Sequence, residues 1–284
     1  MPGDADRVIF ETPIVNIGAF RCAVDHPSFE DSGPARHCCF VFPRTAVAIE
    51  HENERPFAAN PSVVTFYNRG QAYRRKAISP AGDRCDWFAV PAEVARDAVR
   101  EFDPDVEARP EHPFRMPRGW SDPAAYLLQR QLFRRVSSAR NPDSLFVEEQ
   151  VMGLLYTILR ATYRRAPSRR KPPPDAVHHI EAVLSQRWDQ PLRLADLAKE
   201  AGLSVYHLCR TFRRLTGTSI HRYQNSLRLH SALEPLCESE RPLIDIALDA
   251  GFSSHSHFTS AFHAGFGQAP SQVRRSSTIL IAAG

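Results

Sequence analysis

Two stretches in the last third of this chain carry one pattern. Residues 194–204 read Leu-Ala-Asp-Leu-Ala-Lys-Glu-Ala-Gly-Leu-Ser, and Val205-Tyr206-His207-Leu208-Cys209-Arg210-Thr211-Phe212 follow. Residues 243–254 read Leu-Ile-Asp-Ile-Ala-Leu-Asp-Ala-Gly-Phe-Ser-Ser, and His255-Ser256-His257-Phe258-Thr259-Ser260-Ala261-Phe262 follow. Each copy spells a short amphipathic helix, a glycine turn, a serine cap and a second helix. That is a helix-turn-helix, the unit that sets an α-helix in a DNA major groove.

The chemistry of each turn supports the reading. Leu194, Leu197 and Ala198 share one helix face by their i, i+3, i+4 spacing. Gly202 supplies the positive φ that ends that helix, Leu203 is expected to pack inward, and Ser204 caps the next helix through its hydroxyl. Leu208 and Phe212, four apart, pin that helix to the first, leaving Tyr206, Cys209, Arg210 and Arg213 facing out. The second copy is expected to repeat the scheme in register: Ile246 and Ala247 inward, Gly251 at the turn, Ser254 as cap, Phe258 and Phe262 inward. His255, Ser256, Thr259 and Ser260 then face out.

On these residues, about 175 to 275 resemble the DNA-binding domain of the AraC/XylS family of bacterial transcriptional regulators. The matching pieces include Leu-Ala-Asp-Leu-Ala at 194–198, Ala-Gly-Leu-Ser at 201–204, Tyr223 with Arg228-Leu229, and the run from Asp245 to Phe258. A closing Phe-Gly-Gln-Ala-Pro-Ser stands at 266–271. The resemblance implies seven helices, with two helix-turn-helix units joined by a long helix over 219–238 that buries Leu227, Ala232, Leu233 and Leu236. It implies recognition helices about 34 Å apart in successive grooves. Base contacts then fall to Tyr206, Cys209 and Arg210 in the first unit, and to His255, Ser256, Thr259 and Ser260 in the second. Arg210 is the foremost of these, because a guanidinium can bond both O6 and N7 of guanine. Ser204, Arg213, Arg214 and Ser254 are assigned to phosphates, which position without specifying. Two departures from the family stand out. Ser260 occupies a position where an Arg is common, and Pro235 falls inside the long helix, where it removes a donor at a cost of ~3 kcal/mol unless the helix bends.

The run Arg164, Arg165, Arg169, Arg170 and Lys171 gives a local basic stretch despite a net charge of only +4. No apolar stretch is long enough to span a membrane, and the N-terminus lacks the pattern of a secretory signal. Six cysteines show neither a CxxC pair nor zinc spacing, so reduced thiols in a cytoplasm are expected.

The expected organisation is α+β. Residues 1–118 form a β-rich, cupin-like barrel and 119–165 a helical hairpin. Residues 166–174, rich in Pro and Arg, are a linker, and 175–284 are the all-α double helix-turn-helix domain. Strands are expected at Ile14–Arg21, His37–Phe42, Val47–His51, Val63–Tyr67, Ala72–Ile78 and Cys85–Val90. The hairpin's second helix is apolar around much of its circumference, and the family resemblance makes it a dimer interface through Leu145, Val151, Leu155 and Ile158. By the same resemblance the front domain holds a small effector, in a pocket assigned to His37, Cys39, His51 and Phe66. Cys38 and Cys39, adjacent on a strand, point to opposite faces, so at most one lines it. No metal or cofactor is expected, nor enzymatic activity. The expected function is sequence-specific DNA-binding regulation by a homodimer that engages double-stranded DNA and RNA polymerase. The alternative is a cupin-type metal or redox sensor, or enzyme, fused to a DNA-binding tail.

Overall fold

The protein is described from a computed structural model over residues 6–139, 142–165 and 175–282. The expected linker at 166–174 lies outside the described residues. The fold is α+β in two compact units: residues 1–121 with 128–166, and residues 122–127 with 167–284.

Nine strands make two antiparallel sheets in the first unit. They are β1 Asp6–Glu11, β2 Asn16–Cys22, β3 Cys38–Pro43, β4 Val47–His51, β5 Phe57–Ala59, β6 Val63–Tyr67, β7 Tyr73–Ala77, β8 Asp83–Val90 and β9 Arg118–Trp120. Six of them pair in the order β1-β2-β8-β3-β6-β9 and three as β5-β4-β7. The six expected strands all occur, with ends shifted by at most two residues. The expected barrel does not close. Among the described residues the larger sheet stops at β1 and β9 and the smaller at β5 and β7, and these four edges do not pair with one another. The core between the sheets is built from both: Val41, Val63 and Tyr67 from one, Val47, Ile49, Phe57 and Ala59 from the other.

Strand alternation sorts the large sheet's two faces. Phe40, Phe42 and Phe88 lie on one face in mutual ring contact, with Phe40 opposite Phe88 in register and their centroids 5.4 Å apart. Each buried Phe contributes roughly 1.5–3 kcal/mol. Cys39, Val41, Cys85 and Trp87 turn to the opposite face, where Gly18 makes room for Trp87. A Cβ at Gly18 would fall 2.2 Å from the indole. After β8 come α1 Ala92–Arg100, a 3-10 turn at Pro104–Ala108, α2 Pro123–Ser138 and α3 Ser144–Arg165. Within the first unit α3 packs on β9, with Thr162 filling the space a Cβ at Gly119 would need. Val151, Leu155 and Ile158 are all sealed inside, at no more than 1% exposure. These three and Leu145 are the residues expected at a dimer interface. Leu145 alone of the four is exposed, at 74%.

The second unit contains, among the described residues, seven helices after Leu127: α4 Asp175–Gln186, α5 Leu194–Glu200, α6 Val205–Thr216, α7 Ile220–Glu238, α8 Leu243–Asp249, α9 His255–Phe266 and α10 Pro270–Ala282. Ser219 caps α7 by accepting the Arg222 N–H. The helix runs through Pro235, whose own carbonyl accepts both the N–H and the hydroxyl of Ser239. Proline has no N–H to give the Ser231 carbonyl, so α7 forgoes that bond one turn before its end. Leu227, Ala232, Leu233 and Leu236 are buried, as the pattern requires.

His230 on α7 is buried against the rings of Tyr126 (4.3 Å) and Phe266 (6.4 Å). Burial pushes its pKa down to about 3 from an ordinary 6.5. A folded pKa below the unfolded one means that stability is full above pH 6.5 and is lost as pH falls, at about 1.4 kcal/mol per pH unit for one such histidine. Chemical unfolding followed from pH 7.5 to 5 is expected to show this loss in the second unit, and His230→Leu is expected to flatten it.

Candidate nucleic-acid interface and cavity

The two helix-turn-helix copies are built from the same local chemistry. Ser204 Oγ accepts the His207 N–H at 3.3 Å, and Ser254 Oγ accepts the His257 N–H at 3.2 Å. Gly202 and Gly251 take φ of +63° and +74°, and Gly217 and Gly267 close α6 and α9 at +73° and +72°. Leu208, Phe212, Phe258 and Phe262 are fully buried. The expected register breaks at one point. Gly202 stands two residues before its cap and Gly251 three before its own, so the second turn is one residue longer. Leu194 also departs from expectation. It is 44% exposed, because only Leu197 and Ala198 reach the core from that short helix. Leu203 is half-buried.

Arg228 and Gln224 on α7 hold the loop before α5. Arg228 donates to the Trp188 and Gln190 carbonyls at 2.7 and 2.9 Å, and Gln224 donates to the same two. Arg274 on α10 likewise ties the end of α7 to the loop before α8, through the carbonyls of Leu236 and Arg241. These positioning residues had no sequence-level role beyond Arg228's place in the family pattern. A half-buried cation held by backbone carbonyls makes no side-chain pattern in the sequence that would reveal it.

On the outward face of α6, Arg210, Arg213 and Arg214 are exposed, and none is ion-paired among the described residues; Cys209 is half-buried. The Tyr206 side chain lies outside the described residues. On α9, His255, Ser256 and Ser260 are exposed, whereas Thr259 is half-buried and its hydroxyl oxygen is sealed from solvent with no hydrogen-bond partner. The hydroxyls of Ser204 and Ser254 are engaged as caps, although both residues are exposed. The two faces differ in charge. α6 carries three arginines, and α9 carries no Lys, Arg, Asp or Glu, its ionisable groups being His255, His257 and His263.

The first unit holds a cavity of about 510 Å³ on the Trp87 face of the large sheet. His37 and Cys39, expected in an effector pocket, line it. The other two do not. His51 is packed against Phe57 and Tyr67, with Nδ1 3.2 Å from Gln71 Nε2, and burial pushes its pKa down to about 4. Phe66 turns away to stack near Phe114, while its strand neighbour Tyr67 faces the cavity. Sequence reading missed Phe20, Tyr73, Arg75, Asp83 and Trp87, which also line it. Arg75 is the unusual member: 2% exposed, 3.3 Å from Asp83 through Nε, and covered by the Phe20 ring at 4.4 Å. Burial lifts Asp83 to about 6 even with Arg75 beside it.

All six cysteines are free. Among the described residues no three of His, Cys, Asp and Glu converge as a metal site, and no helix is long and apolar enough to cross a membrane.

A family model described as a helix-turn-helix domain matches residues 197–276. The transcriptional regulator Rob of Salmonella typhimurium is 44% identical over 94 residues, which are 33% of this chain and 32% of Rob. This chain thus spans about a third of the length of that relative. A transcriptional regulator from Chromobacterium violaceum with an AraC-type DNA-binding domain is 28% identical, covering 36% of this chain and 92% of that structure, with a TM-score of 0.34. The regulatory protein SoxS of Escherichia coli (strain K12) is 35% identical over 98 residues, 34% of this chain and 92% of SoxS. With nearly all of SoxS matched through the duplicated turns and caps described above, the chain belongs to the AraC/XylS family of transcriptional regulators.

Proposed function

We propose that the protein is a sequence-specific, DNA-binding transcriptional regulator whose second unit reads double-stranded DNA and whose first unit binds a small effector. The exposed, unpaired arginines of α6 are the observation that carries this reading. They project from a helix whose far side is locked by Leu208 and Phe212. Such a helix can enter a groove without rearranging its core.

Arg210 and Cys209, with Tyr206, are the base-reading side chains of the first unit, and His255, Ser256, Thr259 and Ser260 are those of the second. Ser204, Arg213, Arg214 and Ser254 hold phosphates. The effector acts by favouring one arrangement of the chain over another through differential affinity, and thereby sets contact with RNA polymerase. Two copies acting as a homodimer would span paired half-sites.

The test separates reading from positioning. Arg210→Ala is expected to relax preference at one base pair by about 1–3 kcal/mol. Arg214→Ala is expected to weaken all duplexes alike and to lower the salt slope by about one counterion. Binding titrations at several salt concentrations, on the operator and on single-base variants, measure both. Unchanged operator preference in Arg210→Ala would remove the base-reading assignment.

A further inference from the structure

We propose that the cavity of the first unit takes an uncharged, flat ligand bearing a hydrogen-bond-accepting oxygen, and that Arg75 recognises that oxygen. The inference rests on the effector-binding reading of this unit and adds the ligand's chemical class.

Arg75 belongs to the cavity wall and is almost wholly buried. Its Nη2 donates to Ser32 Oγ and to the Tyr73 hydroxyl, both at 3.0 Å, and its Nε faces Asp83 Oδ2 at 3.3 Å. Nη1 has no hydrogen-bond partner among the described residues. A buried N–H left unmet carries the full desolvation penalty of the group, which an acceptor brought against it relieves. The charge of the guanidinium, by contrast, is already met by Asp83. The wall therefore lacks an acceptor and does not lack an anion.

The Tyr73 hydroxyl accepts from Arg75 and keeps its own proton to give, since burial pushes its pKa up to about 12. Across the whole lining, the carboxylates of Asp6, Asp31 and Asp83 outnumber the guanidiniums of Arg36 and Arg75. With Arg75 already paired to Asp83, an incoming carboxylate would have to find its counter-charge at Arg36, His26 or His37 with Asp6 and Asp31 close by, whereas a carbonyl or lactone oxygen needs none. The rings of Phe20, Tyr67, Tyr73 and Trp87 give the cavity flat apolar walls suited to a planar ligand. Burial raises the pKa of both Cys39 and Cys85, so these thiols stay protonated and line the cavity as soft apolar groups.

The test uses the full chain and three small flat probes: coumarin, a neutral lactone; coumarin-3-carboxylate, its anion; and naphthalene, which has no oxygen. By calorimetric titration coumarin is expected to bind about tenfold tighter than either of the others. Cys39→Phe fills the cavity while keeping Arg75 and Asp83, and is expected to abolish coumarin binding. The pair Arg75→Met/Asp83→Asn removes donor and counter-charge together, and is expected to lower coumarin to the level of naphthalene. If coumarin-3-carboxylate or naphthalene binds as tightly as coumarin and Cys39→Phe abolishes it, the ligand class is overturned and the effector-cavity reading stands. If no probe binds saturably, or Cys39→Phe leaves binding untouched, the proposal and the cavity reading fall together.

Discussion

Gly251→Ala is expected to disable the second helix-turn-helix unit, while Gly202→Ala, its counterpart in the first, is expected to be mild. Both glycines hold positive φ, which costs any other residue about 1–2 kcal/mol. There the likeness ends. Nothing lies within 4 Å of a Cβ built at Gly202, but one built at Gly251 would sit 2.4 Å from the Asp189 carbonyl oxygen. That carbonyl cannot retreat easily. Its neighbours Trp188 and Gln190 are gripped by Gln224 and Arg228 from the central helix. Overpacking against fixed backbone adds about 1–3 kcal/mol, so the total approaches the whole stability of a small domain. Urea unfolding of the two variants, with operator binding beside it, checks the difference. Equal, small losses in both would mean that the contact between the second turn and the loop before α5 constrains nothing.

That contrast shows how far sequence reaches here. Turn glycines, serine caps and the phenylalanines four apart were legible because each acts within a few residues of itself. The Gly251–Asp189 contact was not, since it joins positions about sixty residues apart through a fold the pattern does not encode. The front unit follows the same division. Strands with clear alternation were legible, whereas β5 and β9, three residues each, have no room to alternate. Closure was misjudged because it depends on which edges meet, and β1 and β9 end the sheet. His51 and Phe66 were assigned to a pocket from residue type, but the pairing of each strand decides which parity faces it. Arg75 hides in Tyr73-Arg74-Arg75-Lys76, three successive cations of which only the fold shows that Asp83 pairs one. For α3, composition shows an apolar helix but not whether its own unit or a second copy covers it. Val151, Leu155 and Ile158 are buried in the single chain.

The face of β8 opposite the cavity supplies the second large effect. Asp86 is 1% exposed there and accepts from Arg130 Nη1 at 2.6 Å and from Gln129 Nε2 at 2.8 Å, both on α2. Asp86→Ala is expected to cost the first unit about 3–5 kcal/mol, because it removes one partner of a buried ion pair and the acceptor of two hydrogen bonds from α2. For a unit of this size that corresponds to a fall in Tm of roughly 10 °C. The pair itself need not stabilise the fold, since taking both ions out of water offsets most of their attraction. The double change Asp86→Leu/Arg130→Met is accordingly expected to recover most of the loss, because it replaces both charges with apolar groups of similar volume. Calorimetric melts of the three proteins distinguish the cases. If the double variant were as unstable as Asp86→Ala, the loss would arise from packing at β8 and not from the broken ion pair, and the anchoring of α2 to the sheet would have to be assigned to its apolar neighbours Leu132, Phe133 and Val136.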